Sequence, residues 1–76
     1  MMHPNLVDQL EMFVTAAELG TFSATARKMG RAQNVVSYGI SSLETSLNVK
    51  LFDRSGHKAV LTPTGIALQR QAQNIV

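Results

Sequence analysis

The sequence predicts a mainly α-helical domain: three helices, then a two-stranded hairpin, then a fourth helix. Three observations predict it. Apolar residues recur at helical spacing over 5–19 and again over 33–47. Gly20 and Gly30 interrupt the chain where helices should stop and turn. A Ser55-Gly56 turn signal and the β-favouring stretch "KAVLT" come next, before Thr62-Pro63.

The first helix is expected from about Asn5 to Leu19. Leu6, Leu10, Phe13, Val14 and Ala17 form its apolar stripe, Pro4 and Asn5 precede it, and Gly20 suits the left-handed residue that ends a helix. In "GTFSATARKMGR", Ser23 is the expected N-cap, with Phe22 before it packing inward as a staple. Ala24, Ala26 and Met29 make this second helix short and small-faced, and Gly30 stops it. A tight connection, Gly30 to Ala32, leads to a third helix ending near Leu47 and Asn48. Val36, Ile40, Leu43 and Leu47 are its core row. Gly39 lies mid-helix, at a cost of about 1 kcal/mol against Ala. It is either a neutral substitution or a site of close approach by the second helix.

The hairpin is expected to be anchored by Leu51, Phe52, Val60 and Leu61, with Arg54, His57 and Lys58 near its tip. A lone hairpin is marginal and must pack on the helices. Thr62 as N-cap and Pro63 at the first position open the last helix. Leu68, Ala72, Ile75 and Val76 share a stripe, with Ile66 beside it. This stretch reaches residue 76 without a stop signal, so the expectation is either a fragment or an end that lies against something not in this chain. The division expected is 1–61 for the main domain and 62–76 for the start of the last helix.

With 76 residues, the chain is one domain at most. Such a domain buries only roughly 60% of the surface its unfolded chain exposes, so its core is thin. The absence of Cys excludes disulfides and the usual Cys-based zinc sites. His3 and His57 are far apart and have no evident co-ligands, so neither a metal nor a cofactor is expected. No stretch approaches the ~20 apolar residues of a membrane span, and "MMHPNLVDQLE" does not read as a signal peptide. The net charge is only +2. Its distribution says more: Asp8, Glu11 and Glu18 lie in the first helix, while Arg27, Lys28 and Arg31, then Lys50, Arg54 and Lys58, form basic clusters. Charge alone leaves open two solvated faces or a nucleic-acid partner.

Two helices joined by a tight Gly-containing turn, the second with a polar exposed face, outline a helix-turn-helix. With the hairpin and last helix added, the order is that of a winged helix-turn-helix. The residues then resemble the N-terminal DNA-binding domain of LysR-type bacterial transcription regulators over nearly the whole chain. "LEMFVTAAELGTFSATARKM" resembles the family's opening, and "AQNVVSYGISSLE" its recognition-helix signature. "LFDRSGHKAVLTPTG" resembles its wing and the start of its linker helix. Three features depart from the pattern. Ala32 stands where the family usually has Ser or Thr, so the side-chain cap of the third helix is expected to be missing, and Asn34 stands where Pro, Ser or Ala is commoner. No Arg or Lys occurs among Tyr38, Gly39, Ser41 and Ser42.

The resemblance implies double-stranded promoter DNA as partner, bound by a homodimer at a roughly palindromic operator, in the bacterial cytoplasm at the nucleoid. Major-groove reading needs side chains that donate and accept near the helix N-terminus. Gln33, Asn34, Ser37 and Tyr38 have that chemistry, and Ser41 extends their face; the alternative is a solvated polar face. Arg31 at the turn and Arg54, His57 and Lys58 at the wing are the phosphate candidates. For Arg54 the alternative is an ion pair, with Asp53 next in sequence. Helix N-termini near Ser23 and Ala32 are also expected to face phosphates. Leu68, Ala72, Ile75 and Val76 match the family's dimerisation helix; the alternative is packing within one monomer. A small-molecule effector is expected only through the family's C-terminal domain, which this stretch does not contain.

Two other functions compete. A winged helix used for protein contact suits the weakly charged helix face, though not the basic wing. An enzyme is not expected. Ser37, His57 and Asp53 have the ingredients of a triad, but Ser37 sits on a helix without a nucleophile elbow. No glycine-rich phosphate loop or metal-ligand cluster is present in the sequence.

Overall fold

The computed structural model describes residues 5–53 and 58–75. Along the chain run α1 (Leu6–Leu19), α2 (Phe22–Met29), α3 (Gln33–Leu47), β1 (Phe52–Asp53), β2 (Val60–Leu61) and α4 (Pro63–Ile75). The mainly α, winged helix-turn-helix order is the one expected.

Each boundary has a local cause. Asn5 caps α1, its side chain accepting from the Asp8 N–H at 2.8 Å. Gly20 closes α1 at φ 80°, where a Cβ would be strained. The sequence points to Ser23 as the α2 cap. In the structure it is Thr21, whose hydroxyl accepts from the Ala24 N–H at 3.1 Å. The physical reason is the brevity of the turn: Gly20 ends α1 and the extended Thr21 already starts the next helix. Phe22 becomes the first helical residue instead of a staple outside it, and Ser23 is exposed within α2. Gly30 then ends α2 in a Schellman arrangement, the Arg31 N–H donating to the Ala26 carbonyl at 2.9 Å. Asn48, at φ 57°, ends α3 the same way, with the Val49 N–H donating to the Glu44 carbonyl at 3.1 Å.

The core is formed by Met12, Phe13 and Ala16 of α1, Ala26 of α2, Val36, Ile40 and Leu43 of α3, and Leu51 and Phe52 entering the wing. The buried centre of α1 is thus rotated from the expected stripe: Leu10, Val14 and Ala17 are half-buried and Leu6 is exposed. It is rotated because α1 packs on α2, α3 and α4 at once. Phe52 joins the layers, with the rings of Phe13 and Phe22 each 5.5 Å from it in edge geometry. Leu47, expected in the α3 row, is exposed, because the last turn of α3 runs past the core. Gly39 is buried within α3.

The wing pairs antiparallel, Phe52 opposite Leu61 and Asp53 opposite Val60. Leu51 and Phe52 are buried and Leu61 packs on the core, as expected of anchors. Val60 is not an anchor: it is 58% exposed. Strand alternation explains this, since Leu61 and Ala59 turn inward and the residue between them cannot. The Ala59 N–H donates to the Gly20 carbonyl at 2.9 Å, tying the wing to the α1–α2 turn. Thr62 caps α4 as expected, its hydroxyl accepting from the Gly65 N–H at 3.0 Å. Ala72 is buried, Leu68 is half-buried and Ile66 is exposed.

Candidate nucleic-acid interface

The polar face of α3 is a single surface. Gln33, Asn34, Ser37, Tyr38 and Ser41 line one shallow concavity. Offsets of three and four residues along one helix bring them there. Gln33, Asn34 and Tyr38 are exposed, while Ser37 and Ser41 are half-buried. The core row on the opposite side, Val36, Ile40 and Leu43, holds the helix so that this face points outward.

The helix opens without a side-chain cap. Ala32 is extended and makes no side-chain cap hydrogen bond. Its carbonyl accepts from the Val35 and Val36 N–H groups at 3.1 and 3.2 Å, so the first turn is held by backbone alone. The missing cap is the one expected from Ala32.

The basic residues are less uniform. Arg31, immediately before α3, lies 3.7 Å from the Asp8 carboxylate, with both side chains partly exposed. An acidic residue of α1 thus neighbours this phosphate candidate, a contact the sequence reading missed because the two are far apart in the chain. Lys58 is exposed on the wing beside β2. Arg54 and His57 lie outside the described residues, as does Val76. Leu68 and Ala72 line an apolar groove with Leu6, Val7, Leu10, Val14 and Leu47. Ile75 is the last residue of α4.

Glu44 is the residue whose role the sequence reading missed. It is buried, and its Oε2 accepts from the Leu51 and Phe52 N–H groups at 2.7 and 3.2 Å. The available signal was a carboxylate directly beside Leu43 and one turn beyond Ile40, on the core side of α3. Among the described residues no three His, Cys, Asp or Glu side chains are placed to hold a metal ion. No helix among them is long and apolar enough to cross a membrane.

Comparison with known proteins agrees with this geometry. A family model described as "Bacterial regulatory helix-turn-helix protein, lysR family" matches residues 7–66. The transcriptional regulator AceR of Acinetobacter baumannii is 47% identical over 60 residues, 79% of this chain and 20% of that protein. The transcriptional activator AllS of Klebsiella pneumoniae is 39% identical over 66 residues, 87% of this chain and 24% of that protein. The chain therefore spans about a fifth to a quarter of these relatives. Among solved structures, the BenM domain in complex with benA site 1 DNA superposes with TM-score 0.89 at 28% identity, covering 93% of this chain and 83% of that one. The CbnR domain–DNA complex superposes with TM-score 0.84 at 33% identity, covering 88% and 77%. The span of the family match, the identity to these regulators and the shared winged helix-turn-helix together show that the chain belongs to the LysR family of bacterial regulatory proteins.

Proposed function

We propose that this domain binds double-stranded DNA sequence-specifically, as the operator-recognition part of a LysR-type transcription regulator. One observation carries the reading: five side chains able to donate or accept share one exposed concave face of α3. In the major groove that face meets base edges, with Gln33 and Asn34 suited to adenine and Ser37, Tyr38 and Ser41 to varied partners. Arg31, Lys58, Arg54 and His57 contact phosphates and set register. The DNA complexes of the BenM and CbnR domains support this arrangement by likeness.

Leu68 and Ala72, continued by Ile75 and Val76, pair α4 with a second copy. Two recognition helices then face two half-sites of a roughly palindromic operator. The protein works in the bacterial cytoplasm at the nucleoid and performs no catalytic step. Any small-molecule effector acts through a further domain of the full regulator.

Selection of binding sites from random duplex DNA tests the reading. The expected product is a pair of inverted half-sites. Recovery of unenriched sequence at low salt, with equal affinity for all duplexes, refutes it. The salt slope should be shallow for a DNA binder, because the α3 face carries no Lys or Arg.

A further inference from the structure

Residues 50–52 are gripped from both sides. On the N–H side, one oxygen of the buried Glu44 carboxylate takes the amides of Leu51 and Phe52, at 2.7 and 3.2 Å. On the carbonyl side stands Thr62, which caps α4. Its N–H donates to the Leu51 carbonyl at 3.0 Å, and its hydroxyl donates to the Lys50 carbonyl at 2.6 Å. The same hydroxyl accepts from the Gly65 N–H at 3.0 Å. Gly65 itself lies so near that a Cβ there would overlap the Leu51 carbonyl oxygen.

The consequence is mechanical. Glu44 belongs to α3, and Thr62 and Gly65 belong to the start of α4. The two helices are bolted to the same peptide, whose Leu51 side chain is wholly buried. Charge-assisted bonds from a carboxylate to backbone amides are short and strong, and burial shields them from water. Such a link transmits orientation.

We propose that Glu44 is a positioning residue that fixes the direction of α4 relative to α3, and through it the distance between the two recognition helices of a dimer. Glu44 acts through Leu51 and Thr62. It belongs to the buried side of α3 and not to the concave DNA-facing surface. The inference rests on the DNA-binding reading only for its consequence; the clamp between α3 and α4 stands without it.

The experiment has two arms. The chain has no Cys, so spin labels go to Ser46→Cys on α3 and Arg70→Cys on α4, both exposed positions. The inter-label distance distribution is expected to be narrow. Glu44→Ala broadens or shifts it, whereas Glu44→Gln, which keeps an acceptor oxygen, stays close to the parent. Thr62→Val, which removes the hydroxyl from the other side of the clamp, broadens it as well and serves if Glu44→Ala does not fold. A parental distribution in either folded alanine or valine variant overturns the proposal.

The second arm measures affinity for one half-site and for two half-sites at the selected spacing. Avidity depends on whether geometry allows both contacts at once. Glu44→Ala is expected to weaken two-site binding about tenfold while changing half-site binding less than about threefold. Equal loss on both overturns it. If the parent chain shows no sequence preference at all, the DNA-binding reading fails, and the label distances still decide on the clamp.

Discussion

Replacing Gly65 with Ala is a demanding test of how α4 is seated. In an ordinary helix the change stabilises, by about 0.5–1 kcal/mol, since Ala is the better helix former and restricts the unfolded chain. Here the added methyl would overlap the Leu51 carbonyl oxygen and come within 2.9 Å of Leu61 Cδ2. The leucine methyl can move by a rotamer adjustment. The carbonyl cannot, because it accepts from the Thr62 N–H and its own residue is held by Glu44. Overpacking of this kind costs about 1–3 kcal/mol, and a displaced Leu51 carbonyl adds a weakened hydrogen bond of about 1 kcal/mol. Set against the helix gain, the net is a loss of about 1–3 kcal/mol. For a domain of this size each kcal/mol moves the melting temperature by about 4–8 °C. Thermal unfolding followed by circular dichroism should show Gly65→Ala melting at least several degrees lower. An unchanged or raised melting temperature would refute the close-approach reasoning, and with it the rigidity assigned to residues 50–52.

Other outcomes follow from the same geometry. Ala32→Ser supplies the cap that α3 lacks; it should raise stability by about 1 kcal/mol in denaturant unfolding and slow amide exchange in the first turn. No gain would mean that the opening of α3 is already satisfied. Gln33→Ala should cost about 1–3 kcal/mol at one base pair and relax specificity there. Lys58→Ala should instead weaken all duplexes alike and reduce the salt slope by about one; the reverse pattern would exchange their roles. Asp8→Asn removes a partly exposed pair with Arg31, so stability should fall by less than about 1 kcal/mol. Operator affinity should rise, by up to about fivefold, as Arg31 is released toward phosphate. Unaltered affinity would show that Arg31 serves the fold alone.

Much of this molecule was legible in the chain because its signals are local. The start of α1 behind Asn5, the Thr62 cap, the Gly20 and Gly30 stops and the missing cap at Ala32 depend on residues within one helical turn, and the structure has each of them. The polar face of α3 was legible for the same reason: helical periodicity alone brings Gln33, Asn34, Ser37, Tyr38 and Ser41 together.

What periodicity could not settle was which way a whole element is turned. Val60 and Leu61 are equally apolar, but the pairing of β2 with β1 sends only one inward. Leu47 continues the α3 row in sequence, yet the core ends before it. Ser23 and Thr21 are both good caps; the tightness of the α1–α2 turn chose Thr21. By itself the sequence determined the order of elements, the helix ends at Gly20, Gly30 and Thr62, and the face of α3 available to a partner, since each is written within a few residues. Tertiary structure alone decided that Arg31 meets Asp8 and that Glu44 and Thr62 close on one peptide. These contacts join residues distant along the chain, and they exist only after the packing of Leu51 and Phe52 has brought the helices and the wing together.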